Sequence, residues 1–434
     1  MQVVNPTRRV LAVTLLGGLL VALDLVGIAR TGLLGFTFIV LVVAVRVYAV
    51  LAQVALASCR VRASHRGSVE GRDINVEYEV CNDSLVPIAL VELSLNYPWY
   101  LKLSKGSRGG IVAIPPRGCV EYRVSFKGRT GLHRIGPLKA VFRDPLGLYR
   151  GVELELGPTL EVKVRPVESE RLLRALLQVS RATGISRSRR PGEGVEFYDV
   201  REYRPGDELR RIHWKALARG RLAVKEFEFE TATYTLLVLV LDETMLQGPY
   251  LETPFEQAAR IASLLASLAS RRGDYVALLV LGSGAITSTR FGRGKRGYSS
   301  ILRAISSIDY ERYMLNKSPA VEALVGNRVL LAKHVRSLLP REKVNILVLA
   351  STAETSVRVA RNIAVLRGLG YTVNALILVP QLYGLQRLTP FERAVYRLRV
   401  YEELKTVYRR LRELRAAGVN ALIVTPWDKP SKLL

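Results

Sequence analysis

The densest group of residues that could bind a partner lies in the middle of the chain, between Gly194 and Arg219. Basic, acidic and aromatic side chains follow one another closely here, which suits the binding of an anion or of an acidic protein surface. The same groups could instead neutralise one another in a structural network of ion pairs, and both interpretations stay open. The candidates for partner or anion binding are Arg201, Arg204, Asp207, Arg210, Trp214, Lys215 and Arg219.

The local pattern predicts a turn followed by a helix in this run. Pro205-Gly206 indicates the turn, and Asp207 stands where an N-cap carboxylate would accept the free amides of the next helix. Arg210 and Trp214 are four residues apart, so on that helix they would stack on one face.

Catalytic motifs are missing from the sequence. It contains no phosphate-binding GxxxxGK[ST], no GxSxG nucleophile turn and no HExxH metal helix, and its four histidines are widely separated. The three cysteines, Cys59, Cys81 and Cys119, form no CxxC, which argues against a zinc site or a disulfide framework. A single disulfide between Cys81 and Cys119 stays open. We therefore predict a protein that is not an enzyme.

The net charge of +26 over 434 residues predicts attraction to anionic lipids, acidic proteins or nucleic acid. Few aromatic residues accompany the arginine clusters and no nucleic-acid-binding motif occurs, so nucleic acid is not the expected partner. Abundant arginine with little glutamine, asparagine or methionine fits a heat-adapted organism.

Two long apolar stretches, residues 10–29 and 32–57, predict a transmembrane hairpin within residues 1–60. A second span follows the first at once, which argues against a cleaved signal peptide. Arginines flank both outer ends, so both ends and the soluble domains are expected in the cytoplasm. Asp24 and Arg46 could pair between the two helices, or each could reach the membrane surface or another subunit.

The remaining chain is predicted to fold into further domains. Residues 64–166 alternate apolar and polar side chains between turn signals, which favours an immunoglobulin-type β-sandwich. Residues 167–230 hold a predicted helix at 168–182, an Arg/Ser-rich linker at 185–192 and the basic run. Residues 231–434 alternate apolar strands with helical patterns, which favours a doubly wound α/β domain.

The basic run also resembles a known family. The segment from Gly194 to Glu228, GVEFYDVREYRPGDELRRIHWKALARGRLAVKEFE, is similar to the signature of the domain of unknown function 58 family. The corner at residues 142–149, the run at 128–138 and the hairpin resemble the region upstream of that signature. The resemblance implies a von Willebrand factor A-like domain and a protein partner, a MoxR-type AAA+ ATPase.

In A-type domains a metal is held by a DxSxS motif, a threonine and a later aspartate. Here the motif reads Asp242-Glu243-Thr244-Met245-Leu246, and the strand that begins at Val344 ends in Ser351-Thr352 without an aspartate. Mg²⁺ prefers a full set of oxygen ligands, so Asp242 and Thr244 form at best an incomplete metal site and no cofactor is expected.

These observations favour a membrane-anchored, non-enzymatic adaptor or scaffold that works with the ATPase in protein assembly or chaperoning. The alternative is a metal-dependent binding or adhesion module, or a hydrolase, that uses the A-type domain.

Overall fold

A computed structural model of the chain describes residues 4–67, 73–166, 191–228, 232–385 and 388–426. They belong to two compact units, Met1–Val164 and Arg165–Leu434. The helix predicted at 168–182 and the first part of the predicted linker lie outside the described residues. Pro191 and Gly192, assigned to that linker from the sequence, begin a β-strand instead.

The first unit opens with two helices, α1 (Arg8–Leu25) and α2 (Gly32–Ala57). Among the described helices, α2 is long and apolar enough to cross a membrane, and α1 does not meet that standard. The uncharged part of α1 between Arg9 and Asp24 is about 21 Å long, against a hydrocarbon core of roughly 30 Å. The structure thus shows one candidate span, and the first predicted helix is shorter than residues 10–29.

The two helices form an antiparallel pair with glycine at the crossing. A Cβ atom on Gly35 would lie 2.5 Å from the carbonyl oxygen of Gly17, so only glycine allows this approach. Asp24 lies against Gly32 at the turn end of the pair. Arg46 is about 21 Å further along α2, so the proposed pairing of Asp24 with Arg46 is wrong.

The described residues of the first unit also form twelve strands, and the pairings among these strands are antiparallel. Their sheets run in the orders β1-β10-β9-β4-β6 with β11 on β9, β2-β3-β7-β5, and β12-β8. In β3 every second side chain is buried, because successive residues of a strand point to opposite faces of the sheet. The strands are β1 (Val4–Pro6), β2 (Arg60–Gly67), β3 (Asp73–Asn82), β4 (Ile88–Leu95), β5 (Lys102–Lys105), β6 (Gly109–Ile114), β7 (Gly118–Lys127), β8 (Gly131–Ile135), β9 (Leu138–Arg143), β10 (Tyr149–Gly151), β11 (Leu154–Leu156) and β12 (Leu160–Val164).

A disulfide joins two strands of this unit. Cys81 of β3 and Cys119 of β7 are directly opposite in register and are bonded to each other. Cys59 is a free thiol, and its burial raises its pKa to about 11. The pairing that the sequence left open is therefore present.

The second unit begins with the hairpin of β13 (Pro191–Glu202) and β14 (Ala223–Glu228), with the short helix α3 (Trp214–Leu217) between them. An α/β fold follows. Its elements are β15 (Tyr234–Val240), α4 (Pro254–Arg272), β16 (Tyr275–Leu281), β17 (Ile286–Ser288), β18 (Gly292–Arg293), α5 (Gly294–Ser306), α6 (Pro319–Gly326), α7 (Arg328–Leu338), β19 (Val344–Ser351), α8 (Glu354–Ile363), β20 (Thr372–Leu378), α9 (Pro390–Ala416) and β21 (Asn420–Val424).

The sheet of this fold has the strand order β17-β16-β15-β19-β20-β21, with β18 also on β16. The pairings among β15, β16, β19, β20 and β21 are parallel, and β17 and β18 pair antiparallel with β16. The order reverses between β15 and β19, and in open α/β sheets such a reversal is where a ligand crevice is expected, at the carboxyl ends of the strands. The apolar runs at 234–241, 275–281, 344–350, 372–379 and 420–425, which the sequence predicts to be strands, all form strands.

Candidate functional site

The basic run forms a closed loop between β13 and β14, which we call the signature loop (residues 203–222). Its two ends are joined by a hydrogen bond from the Tyr203 amide to the Leu222 carbonyl oxygen, 3.1 Å long. Ile212, in the middle of the loop, bridges to Val224 of β14. These contacts hold the loop against its own hairpin.

An ion pair fixes the first half of the signature loop. The Arg201 guanidinium donates two hydrogen bonds to the Asp207 carboxylate, 2.8 and 2.6 Å long, and the Arg204 amide donates a third of 2.8 Å. The hydrogen bonds from Arg201, and then that from the Arg204 amide, lower the pKa of Asp207 to about 2. Arg201 and Asp207 therefore satisfy each other and stabilise the turn.

The helix predicted to begin at Asp207 is absent. A single 3-10 turn at Leu209–Arg211 is followed by extended backbone at Ile212, and α3 starts only at Trp214. The Asp207 carboxylate is already occupied, and the His213 ring nitrogen Nδ1 caps α3 instead by accepting the Ala216 amide at 3.1 Å. The helical spacing that would have stacked Arg210 on Trp214 is thus interrupted.

The outer side of the signature loop combines exposed apolar side chains with cations. Trp214 is 64% exposed and Leu209 70%, well above the value for a core position. Between Leu209 and Leu222 the sequence has five basic residues and no acidic one. The exposed large apolar and basic side chains of the loop are Leu209, Trp214, Leu217 and Leu222 with Arg204, Arg210, Lys215, Arg219 and Arg221, and the acidic Glu208 is exposed as well.

The structure therefore divides the sequence candidates into two groups. Arg201 and Asp207 bind each other and position the loop. Arg204, Arg210, Trp214, Lys215 and Arg219 are exposed and available to a partner. In the sequence, Leu209, Ile212 and Ala216 recur at helical spacing, which predicts that Leu209 faces the core. The other exposed leucines were not among the candidates.

The second candidate site lies where the strand order of the α/β sheet reverses. We call it the carboxylate cluster (Asp242, Thr244, Ser351 and Ser356). Asp242 Oδ1 accepts the Thr244 amide at 2.8 Å and also the Thr244 hydroxyl, and Oδ2 accepts the Ser351 hydroxyl at 2.7 Å and also the Ser356 hydroxyl. Asp242 is 8% exposed and both serines are 0% exposed.

The carboxylate cluster does not fit a magnesium ion. A carboxylate offers about four lone-pair positions, and here four hydrogen bonds use them. The remaining oxygens are hydroxyls, so the site provides one negative charge where a hard divalent cation requires several oxygen ligands. Asp242 and Thr244 thus belong to a buried polar network that is satisfied without an ion.

Ser351 and Ser356 were not predicted as members of this network. Ser351 ends β19, the strand beside β15, and the carboxyl ends of neighbouring parallel strands meet at one sheet edge. That adjacency could have identified Ser351 from the sequence. The position of Ser356 on α8 depends on how the crossover packs.

Comparison with known proteins bears on the second unit. A family model described as "Protein of unknown function DUF58" matches residues 199–339. The match supports the resemblance of this segment to the DUF58 family. The whole signature loop and the first half of the α/β fold lie within the matched residues, whereas Ser351 and Ser356 lie beyond them.

Other comparisons add little. No curated protein is significantly similar to the chain. A GH20 exo-β-N-acetylglucosaminidase from Vibrio harveyi, bound to N-acetylglucosamine, is 9% identical with a TM-score of 0.19, and the alignment covers 84% of this chain and 75% of that one. The D437A inactive mutant of the same enzyme is also 9% identical, with the same coverages and a TM-score of 0.18. Similarity this low carries no argument about fold or activity.

Proposed function

We propose that the chain is a membrane-anchored, non-enzymatic adaptor whose signature loop binds a protein partner. The observation that carries this proposal is the signature loop itself, which presents Trp214 and several cations on a backbone fixed by the Arg201–Asp207 pair. The family resemblance makes the partner a MoxR-type AAA+ ATPase, acting in protein assembly or chaperoning.

The exposed composition favours a protein over a small anion. Tryptophan and arginine are enriched among the residues that contribute most to protein interfaces, and leucines on a solvent-exposed loop gain free energy only when a surface covers them. The internal hydrogen bonds of the loop reduce the entropy lost on binding, because the loop is already ordered. An acidic surface with an apolar centre is the complementary partner.

The architecture suits a protein in which the helical pair attaches to the membrane and the second unit binds the partner. The helical pair supports attachment to a membrane by a hairpin, and the arginines at its outer ends favour both ends in the cytoplasm. The antiparallel sheets of the first unit support an immunoglobulin-like spacer. The strand order and the antiparallel edge strand support a von Willebrand factor A-like domain in the second unit. Each of these finer assignments is part of the proposal.

Co-purification from detergent with the ATPase tests the docking role. The variant Trp214→Ala/Lys215→Glu should recover at least about tenfold less ATPase than wild type, since central interface side chains each contribute about 2 kcal/mol or more. Trp99→Ala is the matched control, because Trp99 is 72% exposed but lies in the first unit. Equal recovery with both variants would remove the signature loop as the docking surface.

The alternative, a metal-dependent binding module or hydrolase, has one observation in its favour, which is the convergence of oxygens at the carboxylate cluster. Calorimetric titration of the full chain with Mg²⁺ and Mn²⁺ separates the two. We expect no heat of binding at millimolar metal; saturable heat that disappears in Asp242→Asn would support the alternative.

A further inference from the structure

The base of the helical pair is built into the first unit. β1, just before α1, pairs with β10. The Thr7 amide donates to the Leu148 carbonyl oxygen at 2.8 Å, and the Thr7 hydroxyl donates to the Gly147 carbonyl oxygen at 2.7 Å. Gly147 has no room for a side chain, because a Cβ atom there would lie 2.7 Å from the Arg9 guanidinium. Arg9 is thus placed over the corner between β9 and β10.

The register of the pair brings a third arginine to the same level as Arg8 and Arg9. Gly17 of α1 contacts Gly35 of α2. Because the helices are antiparallel, Arg8, nine residues before Gly17, lies at the level of a residue about nine positions after Gly35, which is about residue 44. The same count from the contact of Asp24 with Gly32 places Arg8 at the level of about residue 48 of α2. Arg46 lies between these limits, and all three arginines are exposed. We call them the arginine collar (Arg8, Arg9 and Arg46).

Beyond the collar, α2 packs on the β-strands of its own unit. The Tyr48 hydroxyl donates to the Pro87 carbonyl oxygen at 3.0 Å and accepts the Ala89 amide at 3.1 Å. The Gln53 side-chain amide donates to the Val152 carbonyl oxygen at 3.0 Å. Ala52 is fully buried on the same side. The contact begins already at Val42, whose carbonyl oxygen accepts a hydrogen bond from the Tyr149 hydroxyl at 3.5 Å. Protein therefore covers one side of α2 from Val42 to its end, and lipid cannot surround that part of the helix.

The collar has no internal counter-charge on the helical pair. Asp24 is the only acidic residue among the first 66, and it lies at the opposite end of the pair. The nearby carboxylate of Asp144 faces inward, where it accepts the amides of Leu146 and Tyr149. Leu146 is 49% exposed at the same corner. Cations beside an exposed apolar side chain at the end of a membrane helix suit a lipid headgroup region.

We propose that the arginine collar binds the phosphates of anionic lipids and sets the depth to which the helical pair enters the bilayer. Guanidinium groups bind phosphate oxygens in a bidentate manner, so each arginine can hold one headgroup. The inserted part is then α1 with the first half of α2, each about 20 Å long, so the pair enters the bilayer from one side without crossing it. The last turns of α2 lie outside the bilayer and connect the inserted part to the β-strands. This inference rests on the membrane attachment within the proposed function, and not on the partner.

Cysteine accessibility in lipid nanodiscs tests the depth. Leu41→Cys and Leu51→Cys are a matched pair, since each is about 8 Å from Arg46 along α2, on opposite sides, and the native side chains are 42% and 50% exposed. Cys59 is first replaced by serine, and both variants must label fully after denaturation. We expect a water-soluble maleimide to label Leu51→Cys at least about tenfold faster than Leu41→Cys. Equal protection or equal labelling of the two would overturn the assigned boundary.

Native mass spectrometry of the detergent-solubilised full chain tests the lipid preference, with phosphatidylglycerol and phosphatidylcholine as the probes. Each arginine near an anionic headgroup contributes a factor of about five to affinity. The variant Arg8→Gln/Arg9→Gln/Arg46→Gln should lose the preference for phosphatidylglycerol, whereas Arg62→Gln, an exposed arginine on β2, should keep it. Retained preference in the triple variant, with an unchanged melting temperature, would refute the lipid site.

The two proposals fail in different ways. A chain that does not fractionate with membranes removes the tether of the proposed function. A membrane-bound chain with the wrong labelling pattern removes only the collar.

Discussion

Replacing Asp242 by asparagine should destabilise the α/β fold. The stability of wild type and of the variant should each be the same with and without Mg²⁺. The carboxylate accepts four hydrogen bonds, and the new amide group keeps only the acceptor that faces Thr244. Its NH₂ group would face the hydroxyls of Ser351 and Ser356, which now donate to Oδ2. Two buried donors therefore lose their charged acceptor.

The magnitude follows from the two lost bonds. A hydrogen bond to a charged group contributes about 1.5–3 kcal/mol, so losing both would cost about 3–6 kcal/mol. The hydroxyls can rotate and accept from the new NH₂ group, which recovers part of this. We expect a net loss of about 2–4 kcal/mol. The matched control is Asp274→Asn, because Asp274 accepts a single amide, that of Thr233 at 3.0 Å, and should cost about 1 kcal/mol or less.

Native-state hydrogen exchange of the β15 and β19 amides measures the opening free energy at the cluster itself. The assay is run with and without Mg²⁺ on wild type and on both variants. If Asp242→Asn lowers the exchange protection of these amides, and if Mg²⁺ changes the protection of none of the proteins, the cluster is a satisfied polar network. If Asp242→Asn were as stable as wild type, or if Mg²⁺ protected wild type alone, the reasoning about the cluster would be wrong.

Three further predictions concern other parts of the chain. Gly35→Ala should weaken the helical pair by about 1–3 kcal/mol, measured by unfolding in detergent, since the added Cβ atom overpacks the helix crossing. Gly18→Ala is the control, because its Cβ atom meets open space, and it should be neutral or stabilising by up to about 1 kcal/mol. The hydrogen bonds from Arg201 hold the pKa of Asp207 at about 2, so its stabilising contribution is present above the ordinary pKa of 3.8 and is lost as pH falls through about 2. Its carboxyl ¹³C resonance should therefore stay nearly constant from neutral pH to about pH 3, where an ordinary aspartate would already be mostly protonated, and shift only in stronger acid. Reduction of the Cys81–Cys119 disulfide, which spans 38 residues, should lower the free energy of unfolding of the first unit by about 3–4 kcal/mol, measured by denaturant titration with and without reductant.

Most elements of the second unit follow from periodicity in the sequence. Strands buried on both faces need continuous apolar runs, and helices between them need an apolar face, so both are visible as patterns. The predicted strand over residues 275–281 has the observed bounds, and the last predicted helix differs by one residue. The short antiparallel strands β17 and β18 were missed, because two or three residues carry too little pattern to recognise.

The signature loop shows where local reasoning fails. A proline-glycine turn, an N-cap aspartate and leucine spacing all indicated a helix, and each is a valid local preference. The ion pair with Arg201 and the bridge from Ile212 to Val224 override them, because both involve partners on the flanking strands. The choice of surface residues changed accordingly, from a helical ridge to a loop with exposed leucines.

The sequence by itself determined the apolar α2 segment, the basic loop with its resemblance to the DUF58 signature, and the order of most strands and helices, because these depend on residue type and spacing along the chain. Only the tertiary structure decided which charges are free. Asp207 satisfies Arg201, four hydrogen bonds occupy Asp242, and the packing of Gly17 on Gly35 brings Arg46 level with Arg9. Those outcomes depend on distances between residues far apart in the chain, and no local pattern encodes them.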